Sequence, residues 1–486
     1  MSISGALSSS LSGLTAAARA AEVVSSNIAN ARTEGYGRRE VQLSARSVGG
    51  TGQGVQVDGV RRMVDLVLLT DRRIAQSGSA DRDLQAKFFA TMESAIGTPE
   101  TEGSLGARIA GLEESLIAAA ARPDSEARLS SVRDALVSVA QKIGAVAATV
   151  QDVRSRADRD IATTVEDINT TLANVASLNA KIQSLSAGGR DASALIDQRQ
   201  QMIDRIATAI PLREVPRNNG TVALFTTGGA VLLEGTAAKL EFMPVGTIVP
   251  QMTLASGALS GLAINGRPVA TAGETSQIAG GRLSGLFAIR DDLAPGAQAQ
   301  LDAVARDLIE RLADPAVDST IAPGAAGLLT DGGTAFLATN EVGLAQRLKV
   351  SSAVDPAQGG ALWRLRDGVG ATAPGSPGAS GLVRALSTAL TAPREPASGG
   401  FMAGARSFAA LSGDLLSSVS QSRVQRASEA SFASAQMNAL KELELQDGVD
   451  TDQELQSLLQ IEQSYAANAK VMQAVDSMIK SLLGIG

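Results

Sequence analysis

The stretch LSSSLSGLTAAARAAEVVSSNI, residues 7–28, and its counterpart LLQIEQSYAANAKVMQAVDSMIKSL, residues 458–482, carry matching apolar seams. The first seam runs Leu7, Leu11, Leu14, Ala18, Ala21, Ser25 and Ile28; the second runs Leu458, Ile461, Tyr465, Asn468, Met472, Val475, Ile479 and Leu482. Both step by alternating threes and fours, the spacing of about 3.5 residues that keeps one stripe facing a partner helix. Helices at the two ends that pair with each other fold the chain back on itself, so each intervening segment is nested inside the next. Both stretches are rich in Ala and Ser, and the first 18 residues hold no charge. One such helix pair is marginal in water and gains most by burial among identical neighbours. Asn468, as a polar seam residue, sets register at some loss of stability.

Composition narrows function by what is missing. The 486 residues contain no His and no Cys, which removes the side chain best suited to proton transfer near neutrality and the best thiol nucleophile. Zinc sites, haem ligation and serine or cysteine triads are thereby disfavoured. Aromatics make up 2% of the chain, too few to line a ligand pocket or stack nucleobases, and a net charge of -7 opposes a nucleic-acid footprint. No uninterrupted apolar run reaches the roughly 18 residues of a membrane span, so no membrane insertion is expected. Ser and Gly interrupt the apolar runs at the N-terminus and no basic segment precedes them, so no cleavable signal peptide is read there. The reading assigns no catalytic residue, no cofactor and no metal ligand, and the chain is expected not to be an enzyme. Asp81 with Asp83, Asp158 with Asp160, Asp291 with Asp292, and the cluster Asp447 to Asp452 are acidic groups of the kind that bind hard cations, but no metal site is assigned to them, and the last, lacking EF-hand spacing, reads as turn and helix-start chemistry.

The interior is mainly helical. After the glycine-rich stretch Gly49, Gly50, Gly52 and Gly54, short extended segments are expected around Val55 and Val57. Helical spacing returns from Val64 to about Ile96 and from Leu105 to Ala121. No proline falls between Pro123 and Pro211, and one apolar ladder runs from Leu129 through Val150, Ile161 and Leu172 to Leu185, with a stutter near Ala157. A helix of roughly 60 residues spans about 90 Å, so neighbours must clad it along its length. Gly188 and Gly189 end it, and Leu195–Ile210 reads as a returning helix. From 212 to 279 short apolar runs such as Val222 to Leu224 and Val231 to Leu233 alternate with Gly and Asn-Gly turns, a small mainly β insertion. Helix resumes over Leu283–Leu312, and a Gly/Pro/Ala-rich tract from Asp314 to Pro396 reads as irregular with short helices, one near Leu382–Leu390. A second long helix, from about Met402 to Leu445, carries Phe408, Leu411, Leu415 and Val419 on one face. Thr451 and Glu454 read as a capping box ahead of the terminal seam. The fold class is therefore mainly α: an elongated, nested multi-domain chain with paired terminal coiled-coil helices, a long-helix rod-like middle domain and a small β insertion.

Several motifs resemble one family. Ser26, Asn27, Ile28, Ala29 and Asn30, followed by Ala31 to Glu34, Gly35, Tyr36, Gly37, Arg38 and Arg39, resemble the N-terminal signature of bacterial flagellar axial proteins, and Gly448 to Asp450 with Glu462 to Val471 resemble their C-terminal motif. Ala194 to Arg199, Gly280 to Leu286 with Asp291, and Ala322 to Gly324 resemble the hook-associated branch that forms the hook–filament junction. The resemblance implies that residues 1–60 with 435–486 form an inner terminal domain, 61–211 with 280–434 a rod-like helical domain, and 212–279 an outward β domain. It implies an assembly interface made by both seams together with Asn27, Asn30, Gly35 and Tyr36, which match the turn leaving the inner layer. It also implies export without a cleavable signal through the flagellar type III gate, and an extracellular location. The implied partners are identical subunits in a ring or helical layer, hook protein, the second junction protein and an export chaperone on the C-terminal helix. Rival readings are another axial component, such as flagellin, or a secreted enzyme with a β catalytic insert, for which 212–279 supplies Glu214, Glu234 and Glu241 as acids.

Overall fold

The computed structural model describes residues 3–33, 35–48, 51–273 and 275–483; Glu34 of the Gly-Tyr motif and Gly49 and Gly50 of the glycine-rich stretch lie outside them. The axis of the molecule is a 62-residue helix. In chain order the elements are α1 (Ile3–Asn30), a hairpin of β1 (Arg38–Val48) and β2 (Thr51–Met63), then α2 (Leu66–Ile96), α3 (Leu105–Ala121), the axial α4 (Glu126–Ala187) and α5 (Ser193–Ala209). Seven short strands follow: β3 (Leu212–Pro216), β4 (Val222–Thr226), β5 (Val231–Glu234), β6 (Thr236–Ala237), β7 (Leu240–Glu241), β8 (Leu262–Ile264) and β9 (Arg267–Val269). Then come α6 (Arg282–Ala288), α7 (Ala294–Leu312), β10 (Leu329–Asp331), α8 (Leu344–Arg347), β11 (Leu348–Val350), α9 (Arg364–Asp367), α10 (Gly381–Thr391), α11 (Phe408–Gln446) and α12 (Thr451–Leu483).

The apolar ladder of α4 is the spine of the main core, and Leu178, Ile182 and Ala192 form a small cluster of their own near its end. Leu129, Val132, Leu136, Val139, Ile143 and Val150 are buried on its first half, and Ile161, Val165, Ile168, Leu172, Val175 and Ile182 on its second. The helix opens where the Ser125 hydroxyl accepts a hydrogen bond from the Arg128 N–H. It ends at Gly188 and at Gly189, which adopts φ +65° while the Arg190 N–H returns to the Leu185 carbonyl. The stutter at Ala157 has a structural counterpart. There the buried face of α4 becomes polar, with Gln151, Arg154, Ser155 and Asp158 all buried. These groups receive loop backbone: the Val245 N–H donates to Asp158, the Ile248 N–H to Ser155, and Arg154 donates to the Met252 carbonyl.

The strands between 212 and 279 form two antiparallel sheets, β3-β4-β5-β6 and β7-β8-β9. Leu212, Leu224, Leu233, Leu240 and Leu262 belong to the same apolar cluster as the α4 ladder. Two asparagines of α4 act as surrogate strand partners. Asn169 accepts from the Leu240 N–H and donates to the Leu240 carbonyl, both at 2.8 Å, and Asn179 does the same for Val222 at 3.3 and 2.9 Å. The three acids of the rival enzyme reading are engaged separately: Glu214 by Arg73, Glu234 by Arg217 and Glu241 by Lys239.

The motif Gly280 to Gly285 marks a helix crossing. A Cβ on Gly281 would lie 2.4 Å from the Ala209 carbonyl oxygen, and one on Gly285 would lie 2.7 Å from Asp81 Oδ1. Only glycine lets α6 approach α2 this closely, and the Ser77 hydroxyl donates to the Gly280 carbonyl at the same point. A π-helical turn, Ile289–Leu293, then joins α6 to α7 and aims Arg290 into the core. There its guanidinium meets Asp158 at 2.7 Å with both side chains fully buried. The irregular tract is fastened to α7: Asp302 accepts from the Gly343 and Ala345 N–H groups, and Arg311 donates to the Ala389, Ala392 and Arg406 carbonyls.

Two expectations are corrected here. The segments after α1 are not short: β1 and β2 make a hairpin of 11 and 13 residues, bulged at Gln42/Leu43 and Ala45/Ser47. Periodicity alone missed it because its support is tertiary. The hairpin lies along α1, where the Ser12 hydroxyl accepts from the Val55 N–H and glycine at 54 leaves room for Ser9 and Ser12. The capping box at Thr451 and Glu454 is not formed. Asp450 caps α12, accepting from the Asp452 and Gln453 N–H groups, and Glu454 turns inward.

Candidate assembly interface

Helices α1 and α12 pair antiparallel. A Cβ on Gly13 would lie 2.7 Å from Asn468 Nδ2, and Asn27 Nδ2 donates to Glu454 Oε2 at 3.1 Å. Gly13 to Asn27 and Glu454 to Asn468 are equal runs of 14 residues, so the two helices stay in register over four turns. Along α12 the expected seam faces α1: Val475 is buried, and Leu458, Ile461, Asn468, Met472 and Ile479 are half-buried, whereas Tyr465 and Leu482 are exposed. Asn468 lies over Gly13 and donates to the Ser464 carbonyl of its own helix.

The N-terminal seam is displaced by one residue from its expected position. Ser10, Ala17, Val24 and Asn27 are buried, in the phase set by Gly13, while Leu11 is 54% exposed and Leu7, Ala18 and Ser25 are exposed too. Leu14, Ala21 and Ile28 are half-buried. A reading that follows the largest side chains selects the wrong phase because α1 is clamped between α12 and the hairpin, and both approach through small residues. The displaced leucines form an outward stripe on α1. On α12 further apolar residues stand outward on its two flanks, Leu455 and Leu459 on one and Val471, Met478 and Leu482 on the other, all exposed.

The turn that leaves α1 is held by a polar network centred on two buried groups, Asn27 and Glu454. Asn27 Oδ1 accepts from the Tyr36 hydroxyl at 2.8 Å and from the Arg39 N–H at 3.0 Å, and its Nδ2 also donates to the Arg39 carbonyl. Glu454 takes the Arg38 guanidinium at 2.7 Å on its other oxygen. Asn30 donates to the Ser26 carbonyl and accepts from the Thr33 hydroxyl, finishing the helix. Gly35 adopts φ +77°, and its carbonyl accepts from Arg62. Asn30, Gly35 and Tyr36 also line a cavity of about 280 Å³ against Arg72, Lys441 and Val449.

Four groups of this network were not assigned to the interface by the sequence reading: Glu454, Arg38, Arg62 and Asp197. Asp197, from α5, accepts from Arg39 at 2.6 Å, Arg62 at 2.8 Å and the Gly37 N–H at 3.3 Å. The motif around it was visible, but nothing in its spacing points 160 residues back to the turn. Nearby, Asp191 meets Arg19 of α1 at 3.4 Å. Burial opposes its charge, yet hydrogen bonds from Ser193 and the nearby Arg39 and Arg19 hold the Asp191 carboxyl below its ordinary value. Among the described residues no group of three or more acids converges to hold a metal ion, and no helix is long and apolar enough to cross a membrane.

Comparison with known proteins matches three segments of this chain. Residues 89–314 match the family described as Flagellar hook-associated protein FlgK helical domain. Residues 7–36, spanning most of α1 and its turn, match Flagella basal body rod protein, and residues 446–485, spanning α12, match Flagellar basal body rod FlgEFG protein C-terminal. Flagellar hook-associated protein 1 of Bacillus subtilis (strain 168) is 24% identical over 233 residues, 46% of each chain. The Salmonella typhimurium protein of that name is 24% identical over 287 residues, 54% of this chain and 51% of its own. A solved structure, the flagellar hook junction protein FlgK from Burkholderia pseudomallei, aligns with a TM-score of 0.44 at 20% identity over 54% of this chain and 47% of that one. The chain spans about half the length of the curated relatives it matches. The two paired terminal helices are thus similar to segments of flagellar rod proteins. The helical domain built on α4 is similar to that of flagellar hook-associated protein 1, the name the curated relatives carry.

Proposed function

We propose that this chain is a structural adaptor layer joining the flagellar hook to the filament, assembled from identical copies through its terminal helices. The observation that carries the reading is the set of outward apolar residues, Leu7 with Leu11 on α1 and Leu455, Leu459, Val471, Met478 and Leu482 on the flanks of α12, on helices already latched to each other by Asn27 and Glu454. Apolar residues left uncovered in one chain gain stability when a neighbouring copy covers them. In this reading the residues that pair α1 with α12, Gly13, Asn27 and Glu454 among them, are intramolecular, and Leu7, Leu11, Leu459 and Met478 meet neighbours. The partners are hook protein on one side, the second junction protein on the other, and an export chaperone on α12 before assembly. The chain leaves the cell unfolded and acts outside it, without catalysis. Residues 1–60 with 435–486 form the inner layer, 61–211 with 280–434 the rod-like body, and 212–279 the outer face.

Deleting the gene and imaging cells by electron microscopy tests the role. Hooks without filaments, with flagellin shed into the medium, are expected; normal filaments would overturn the assignment. Leu11→Asp tests the stripe separately: the variant should be exported and fold, yet restore few filaments.

A further inference from the structure

We infer that Asp197 is the positioning residue that fixes the terminal helix pair at a set angle to the rod-like body, a deeper statement of the assembly reading and dependent on it. The geometry is a relay with no gap. Asp197 stands on α5, whose Ile203, Ile206 and Ala207 are buried in the same core as α4, so its carboxylate is fixed to the body. It holds the Arg39 guanidinium at 2.6 Å, and that guanidinium lies 4.8 Å over the Tyr36 ring. The Tyr36 hydroxyl donates to Asn27 on α1, and Asn27 donates to Glu454 on α12. One carboxylate of the body therefore reaches α1 through two side chains and α12 through three.

Its second oxygen closes the arrangement. Arg62, at the end of the hairpin, donates to Asp197 at 2.8 Å and to the Gly35 carbonyl at 3.0 Å, so both ends of the segment between α1 and α2 are held by the same residue. The Gly37 N–H, at 3.3 Å, adds a backbone contact between them. Charge-assisted hydrogen bonds with planar guanidinium donors constrain direction as well as distance, which an apolar contact does not. Without Asp197, α1 and α12 would keep each other through Asn27 and Glu454 and still lose their fixed direction.

The chain has no Cys, so a pair of introduced cysteines carries spin labels uniquely. Labels on the full-length chain at the exposed positions Ser177 of α4 (S177C) and Gln473 of α12 (Q473C), read by pulsed electron paramagnetic resonance, report the body-to-terminus distance. Asp197→Asn should at least double the width of that distribution while the thermal melt of the helical body stays in place. Tyr36→Phe removes only the hydroxyl at the far end of the relay and should broaden it likewise; the double variant should be no broader than either alone, which independent structural roles would not produce. An unchanged distribution in a folded Asp197→Asn or Tyr36→Phe chain overturns the proposal. Broadening in a strain that still grows a full set of filaments would keep the lock and reject the assembly reading.

Discussion

Glu454 illustrates how a single carboxylate at a domain junction acquires its role from what surrounds it. Its side chain is 1% exposed and faces one amide and one guanidinium, a partner on each oxygen. Removing the charge leaves Arg38 without its ion pair in a partly buried place, so Glu454→Gln should weaken the attachment of α12 by about 1–3 kcal/mol. Hydrogen exchange of the α12 amides measures this directly: exchange should quicken there and stay unchanged in α4. The same residue shows why the site was only half legible. The sequence marks Asn27, Asn30, Gly35 and Tyr36 because they crowd into one short motif, and the structure brings Asn27 and Tyr36 together at 2.8 Å. Glu454 lies 427 residues from Asn27, and its local neighbourhood supports a capping box equally well. Spacing cannot separate a carboxylate that turns back to its own helix from one that turns to another.

Among elements, those whose burial is fixed by their own periodicity were read closely, and those fixed by a neighbour were not. The α3 and α4 helices, flanked by Ser104, Ser125 and paired glycines, fall where their apolar spacing puts them. The hairpin and the phase of α1 depend on each other, and neither is visible alone. The α6–α2 crossing is a third case, where two glycines mark a contact whose other side lies 200 residues earlier. Adding a methyl at Gly281 forces the Ala209 carbonyl aside, so Gly281→Ala should destabilise the body by about 1–3 kcal/mol in urea titration, whereas Gly296→Ala, in open space, should not. The α2–α11 contact should respond to acid. The Ser420 hydroxyl and then Arg423 hold Glu93 below its ordinary 4.5, and Gln425 with Arg426 and Arg82 does the same for Glu429. A carboxylate depressed in the folded state contributes stability above its unfolded value and loses it as pH falls through the folded one. Hydrogen exchange in Ser420–Gln446 should therefore accelerate below about pH 4.5 relative to α4. Buried Asp81 has the opposite sign: desolvation raises its carboxyl above 3.8, so its contribution is complete below that value and falls away at higher pH. Asp81→Asn should raise Tm at pH 7 and leave it unchanged at pH 3.

For the whole molecule, a 62-residue helix clad by α3, α5, α7 and two small sheets gives a stiff body, and α5 and its approach hold the terminal pair through Asp197 with Arg39 and Arg62 and through Asp191 with Arg19. In the proposed adaptor role, a subunit between two differently bending polymers needs that division between rigid mass and directed attachment. The antiparallel closure of the two ends carries a temporal consequence as well. Asn27 is made near the start of the chain, and the carboxylate that completes its surroundings arrives 427 residues later. Closing so long a loop is entropically slow and cannot begin until the last helix has emerged. A chain truncated anywhere before Glu454 leaves Asn27 and Arg38 without their acceptor, however well its body folds. The contact thus reports on both partners at once: α1 has its finished surroundings only when α12 is in place beside it.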